Sequence, residues 1–274
     1  MPFTLAHPAI LLPLQKTASR YQGLLSALII GSLIPDFSYF LPLGVTRFES
    51  HTWLALLWFS LPVGLLFYLV YHQLLVPVVY SFLPKYFQSR LNPRFSTGSL
   101  PPLKLLPLIT IGLVFGAGTH LFWDSFTHSY SYNWPVQHFE FMKSTAFHIG
   151  NFPLKVYRLL QHLSSIIGLM IVFFWIRHWY RQADQNQAPS WQPTAKLKHF
   201  SLIILLTLPL LFGLYYAVSL MDREGPLAYR SIMFMRDWII FGGRLLLPLW
   251  LLLGLYYQWL IRQQTPHPIP SKHN

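Results

Sequence analysis

LKLLPLITIGLVFGAGTHLFWDSF, residues 103–126, carries one charge near each end, Lys104 and Asp124, and none between them. A membrane-spanning helix needs about 20 mostly apolar residues, and this stretch is long enough. Three further runs meet the same requirement: Trp53 to Val76, Val156 to Trp179 and Phe200 to Met221. A fifth, Ile239 to Ile261, holds Arg244 near one end and is otherwise apolar. Gly23 to Phe40 is shorter and carries Asp36, so it either spans or re-enters. The pattern predicts an all-α, polytopic transmembrane helix bundle of about five to six spans.

Composition agrees with that class. The chain is 53% hydrophobic and 10% charged, where a soluble domain carries about 25% charged residues. There is no cysteine, which excludes disulfides, thiolate metal sites and a cysteine nucleophile. The formal charge is +12, but the basic residues lie mostly in loops between apolar runs. Such placement points to membrane orientation and anionic lipid headgroups, with the lipid bilayer as the main partner, and away from nucleic acid. The N-terminus lacks the basic leader and cleavage site of a signal peptide. Residues 1–180 read as a membrane domain carrying the site discussed below, 181–198 as a loop, 199–262 as C-terminal transmembrane helices, and 263–274 as a disordered tail. With six spans, 12 Lys and Arg fall on one side and 7 on the other. The more basic side is expected in the cytoplasm, with both termini there.

Eight acidic residues exist, so each position is informative. Asp184, Asp222, Glu224 and Asp237 lie in or beside loops of the second half and read as solvated charges. Asp36 and Asp124 sit at the ends of apolar runs, where an ionisable group is costly unless paired, hydrated or bound to metal. The strongest local signal is His120-x-x-x-Asp124-x-x-x-His128. A spacing of four stacks the three side chains on one helical face. Gly112 and Gly116 continue that stripe, and small residues there would admit a neighbouring helix. Imidazole and carboxylate without thiolate suit zinc or another divalent first-row metal. The competing reading is a polar helix end at headgroup level.

One helix supplies at most three ligands, so a metal needs others. Asp36 follows Pro35, where a helix ends or bends, and His51 stands just before the next apolar run. The six-span topology puts Asp36, His51, Asp124 and His128 at one membrane face, with His120 a turn or two deeper. His7 is left open: it lies on the opposite face if Gly23–Phe40 spans, and can fold back beside Asp36 if that segment re-enters. His72, His178 and His199 read as interfacial, and Arg158 and Arg244 as snorkelling cations. His138 and His148 are weaker ligand candidates.

MPFTLAHPAILLPL, GSLIPDFSYFL, SHTW, THLFWDSFTH and YRLLQHLSS, in that order, resemble a bacterial membrane family known as domain of unknown function 4184, over roughly residues 1 to 180. The order His, Pro-Asp, His, His-x-x-x-Asp is more distantly similar to inner-membrane metal-dependent hydrolases of the LexA-regulated type and to zinc-dependent phospholipases C. That likeness implies a bacterial inner-membrane protein with His7, Asp36, His51, His120 and Asp124 as metal ligands, and His128 as a further ligand or a supporting group. Two departures stand out. No His-x-x-x-Glu pair follows downstream, and His162 lacks an acid four residues on. The second metal of a phospholipase-type cluster is therefore not implied.

The leading expectation is a metal-dependent hydrolase at the bilayer surface, acting on a phosphoester or lipid, with Asp36 or Asp124 as the catalytic carboxylate that orients water. The alternatives are a divalent-metal or small-molecule transporter, and a non-catalytic membrane protein with a structural metal site.

Overall fold

A computed structural model describes residues 3–91, 100–129, 134–149, 152–185, 193–221 and 227–264. They sort into two compact units, residues 1–69 with 101–182 and residues 70–100 with 183–274. Among the described residues, five helices are long and apolar enough to cross a membrane: Leu56–Phe82, Leu103–Thr127, Val156–Gln182, Ala195–Ser219 and Tyr229–Gln263. The protein is an all-α, multi-pass helical bundle.

The first unit opens with a 3-10 segment, Thr4–Leu14. Pro8 and Pro13 lie inside it, and their missing N–H groups prevent a regular α-helical ladder. After a turn of helix at Gln15–Ala18 the chain bends at Gly23, whose φ of 83° suits glycine. It returns as α1, Leu24–Leu33, prolonged by a 3-10 turn over Ile34–Tyr39 that contains Pro35. The helix with its 3-10 extension, Leu24–Tyr39, runs back along the first arm, Thr4–Leu14, and brings Asp36 to Thr4. The two arms therefore form a hairpin, with Leu11, Ala18 and Leu28 packed in a small buried core between them. The place left open for His7 is thereby decided: the first arm puts Thr4 and His7 at the same end as Asp36.

Next comes α2, Arg47–Ser50, a single turn held by a capping box. The Glu49 backbone N–H donates to Thr46 Oγ1, and the Thr46 N–H donates back to the Glu49 carboxylate at 2.7 Å. The long helices follow: α3 over Leu56–Phe82 and α4 over Leu106–Thr127. A two-stranded antiparallel hairpin, β1 Thr145–Ile149 and β2 Phe152–Lys155, leads into α5, Val156–Gln182. That hairpin was not legible in an all-helical reading. In the second unit α6, Ala195–Ser219, packs on α7, Leu227–Gln264. Tyr216 stacks on Phe241 at 4.4 Å, and the Trp238 indole N–H donates to the Leu210 carbonyl. The Arg244 guanidinium lies 5.0 Å from the Phe241 ring. Helix α7 runs to Gln264, so the tail expected from 263 lies, from 265 on, outside the described residues, as do Asp222 and Glu224.

The contact that positions the site is α1 on α4. The helices run the same way: a Cβ built on Gly112 would meet Leu24 and Ala27, and one on Gly116 would meet Leu28 and Ser32. The Gly116 Cβ would stand 2.2 Å from the Leu28 carbonyl oxygen, and a Cβ on Gly31 2.2 Å from that of Leu113. Both are backbone atoms that cannot swing aside. At Gly112 the nearest atom is instead the end of the Leu24 side chain, at 2.8 Å. The glycine stripe thus admits a neighbouring helix, as its small residues led one to expect. Gly116→Val should destabilise the purified protein by about 1–3 kcal/mol, the usual cost of overpacking. Gly112→Ala should cost clearly less, and thermal unfolding in detergent would read the difference.

Candidate metal centre

Five side chains from four stretches of the first unit meet at one point, and all five are buried. His7 comes from the N-terminal 3-10 segment, Asp36 from the turn after α1, His51 from the end of α2, and His120 and Asp124 from one face of α4. His51 Nε2 stands 3.3 Å from Asp36 Oδ1 and 3.6 Å from Asp124 Oδ2. His120 Nε2 stands 3.9 Å from Asp36 Oδ1 and 3.7 Å from Asp124 Oδ2. His7 Nε2 is 3.7 Å from Asp124 Oδ1, and its ring stacks on His120 with centroids 3.8 Å apart. Two triads, His7–His120–Asp124 and Asp36–His51–His120, each offer ligand atoms that all lie within 4.8 Å of one another.

The outer contacts set the tautomers. A carbonyl oxygen only accepts, so the His120 Nδ1–H donates to Ser32 O at 2.8 Å, leaving the Nε2 lone pair facing the cluster. His51 does the same: its Nδ1 is 3.1 Å from the Arg47 carbonyl oxygen. Thr4 Oγ1 donates to Asp36 Oδ2 at 2.6 Å, which turns Oδ1 inward. His7 Nε2, Asp36 Oδ1, His51 Nε2 and His120 Nε2 are buried and have no hydrogen-bond partner among the described residues. A buried polar atom in that state costs about 1–3 kcal/mol, so four of them converging form the donor set a divalent cation would satisfy. Burial, and then the neighbouring His120, hold the His7 imidazole down to about 3, so it is neutral and able to ligate at physiological pH.

His128 stands beside this set. Its Nε2 accepts from Arg47 Nη2 at 3.1 Å, and its Nδ1 lies 3.3 Å from the Asp124 carbonyl oxygen. With both nitrogens so engaged, it falls outside the two triads, in keeping with the supporting place that was one of its two expected roles. Burial, and after it the Arg47 charge, hold its imidazole far below the usual range. Gln161, buried on α5, approaches the same Nε2 at 3.5 Å. The weaker candidates His138 and His148 are exposed, as is His162.

Arg47, one of the basic residues between apolar runs, joins this site. Its Nη2 donates to Asp124 Oδ2 at 3.0 Å, so one guanidinium is shared between the buried Asp124 carboxylate and the His128 imidazole. A signal was present: Thr46-x-x-Glu49 is a capping-box pattern, and the turn it starts puts Arg47 and His51 four residues apart on one face.

The model for a domain of unknown function, DUF4184, matches residues 1–266. The chain belongs to the DUF4184 family. No curated protein and no solved structure matches it, so the likeness to hydrolases gains nothing from those comparisons. The match reaches well past residue 180, and so takes in the second unit of this DUF4184 protein.

Arg47→Met removes the cation from a buried pair and should destabilise the protein by about 3 kcal/mol. Arg158→Met, at an exposed position, should stay within about 0.5 kcal/mol of wild type. Denaturation midpoints of the two variants, compared in the same detergent, check this.

Proposed function

We propose that this DUF4184 protein is a metal-dependent hydrolase of a bacterial inner membrane, acting at the bilayer surface on a phosphoester or lipid. The observation that carries the reading is the convergence of four buried, unpartnered donor atoms from four separate stretches of chain. His7, Asp36, His51, His120 and Asp124 would hold the ion, and a set of imidazoles and carboxylates favours zinc. When bound, a divalent metal supplies a lowered pKa for water and polarisation of the scissile group.

The chain's own residues do the rest. Ser32 and Arg47 fix the His120 and His51 tautomers through backbone carbonyls. Thr4 orients Asp36, and Arg47 orients Asp124. Either carboxylate, where its inward oxygen is not spent on metal, accepts the proton of an attacking water. Arg47 also keeps a positive charge beside the place where an anionic group would develop. The end of the first unit that holds the cluster lies away from Lys16, Arg20, Lys104, Arg177 and Arg181. By the bias of basic loops toward the cytoplasm, it faces outside the cell. Anionic headgroups are then the natural partners of the opposite, basic side.

A second reading is favoured by one observation: all five donors are buried. Structural zinc sites are closed, whereas catalytic ones keep an open position, so a purely structural ion fits that burial. A transport path fits less well, because the five donors meet at a single point instead of at successive depths.

Zinc titrated into metal-stripped protein should raise stability by about 2.7 kcal/mol at 100 times its Kd. His120→Ala and Asp36→Asn should abolish that gain. On a panel of phosphoesters and lipid esters, the zinc-loaded protein should hydrolyse at least one class, and folded His120→Ala and Asp124→Ala should not. Zinc binding with no turnover selects the structural ion, and the absence of zinc binding ends both readings.

A further inference from the structure

A cavity of about 360 Å³ lies in the first unit, between the N-terminal 3-10 segment and α5. Its walls include Ala9, Trp123, Leu160 and Ile167, with Ser164 on the α5 side and His7 as the polar group at its inner end. The size falls within the range of small-ligand sites, about 300–1,000 Å³. It would take on the order of ten waters at about 30 Å³ each, yet apolar walls give those waters few partners. The outer lip is formed by Ile10, Leu163 and Ile167, each more than 40% exposed. Leu163 and Ile167 belong to the surface that a helix long and apolar enough to span, Val156–Gln182, presents outward, and Ile10 faces them from the N-terminal 3-10 segment. The cavity thus opens sideways, where hydrocarbon is the solvent.

His7 is the link. The same imidazole lines the cavity and directs Nε2 toward Asp124 in the cluster. A molecule filling the cavity would be apolar along most of its length, with its polar end arriving beside His7. We infer that the cavity holds the acyl chain of a membrane lipid and delivers that lipid's ester or phosphoester end to the cluster. This rests on the hydrolase reading above and narrows its substrate to a membrane lipid.

The test places the full chain in nanodiscs of phosphatidylethanolamine and phosphatidylglycerol. A fraction of the phosphatidylglycerol carries a diazirine near the end of one acyl chain. After irradiation, label is mapped by mass spectrometry. Label at Ala9–Ile10 and Leu163–Ile167 should exceed that at Phe173–Phe174, the exposed face of the same helix, by at least about fourfold, the preference conferred by burying one further methylene. Ala9→Phe and Ser164→Phe fill the cavity from opposite walls. Each should remove the excess and leave Phe173–Phe174 labelled as before. Even labelling along α5 means annular lipid only and overturns the inference, as does an excess that survives both filling variants. A zinc titration of the wild-type protein runs alongside and fails separately. Cavity labelling without zinc binding keeps the lipid site and removes the hydrolase reading. Zinc binding with even labelling removes the lipid assignment alone.

Discussion

His120 is fully buried, and its Nδ1–H can reach the Ser32 carbonyl only because α1 lies against α4 at backbone distance. That spacing is the constraint on which the first unit depends. Gly31 and Gly116 allow it, since each faces a main-chain oxygen that a methyl group would strike. Once the helices are that close, the His120 ring has one orientation and its Nε2 points at Asp36 and Asp124. His51 and His7 then pack against a ring that is already fixed, one edge-on at 5.2 Å and the other stacked. The cluster is therefore a product of helix packing, and each imidazole inherits its direction from the fold.

The N-terminal hairpin completes the arrangement. Proline at 8 and 13 keeps the first arm out of a regular helix, and the arm is tied to α5 instead. The Phe3 N–H donates to Ser165 Oγ at 3.0 Å, and the Trp175 indole N–H donates to the Gln15 side chain. Ala6 presses on Gly168, where a Cβ would come within 2.9 Å of it. These contacts hold His7 and Thr4 at the cluster although the polypeptide bends through Gly23 before reaching Asp36. They also leave the gap toward Trp123 that becomes the apolar cavity.

The sequence was most legible where one local rule sufficed. Long uncharged runs required bilayer helices, and four-residue spacing put His120 and Asp124 on one face; neither needs a partner elsewhere in the chain. Helix ends were less legible: α3 continues through Pro77 to Phe82 and α7 starts well before Ile239, because neither that proline nor polar residues break a helix that packing supports. His7 depended on the path of the first arm, which Thr4, Ala6 and Phe3 fix through contacts with Asp36, Gly168 and Ser165 and which hydropathy does not show. Thr4 carries no signal of its own, since a hydroxyl near an apolar run is ordinary until a carboxylate lies opposite, and Gln161 shows only as one polar residue of YRLLQHLSS. Arg47 was readable only through the capping box before it. The strands at 145–155 had no clear alternation, and the Gly150-Asn151 pair between them was their one hairpin signal.

Ser32, Arg47 and Asp124 each offer a main-chain oxygen to an imidazole Nδ1, those of His120, His51 and His128. No codon change at those three positions deletes the acceptor, because every residue brings the same peptide group. On His120 mutation shifts the proton by moving a helix or replacing the ring, while Ser50, Thr127 and Arg47 add side-chain contacts to the other two rings. At His120 the protonation pattern is thus buffered against drift in side-chain identity, and vulnerable instead to small residues becoming larger at distant packing points.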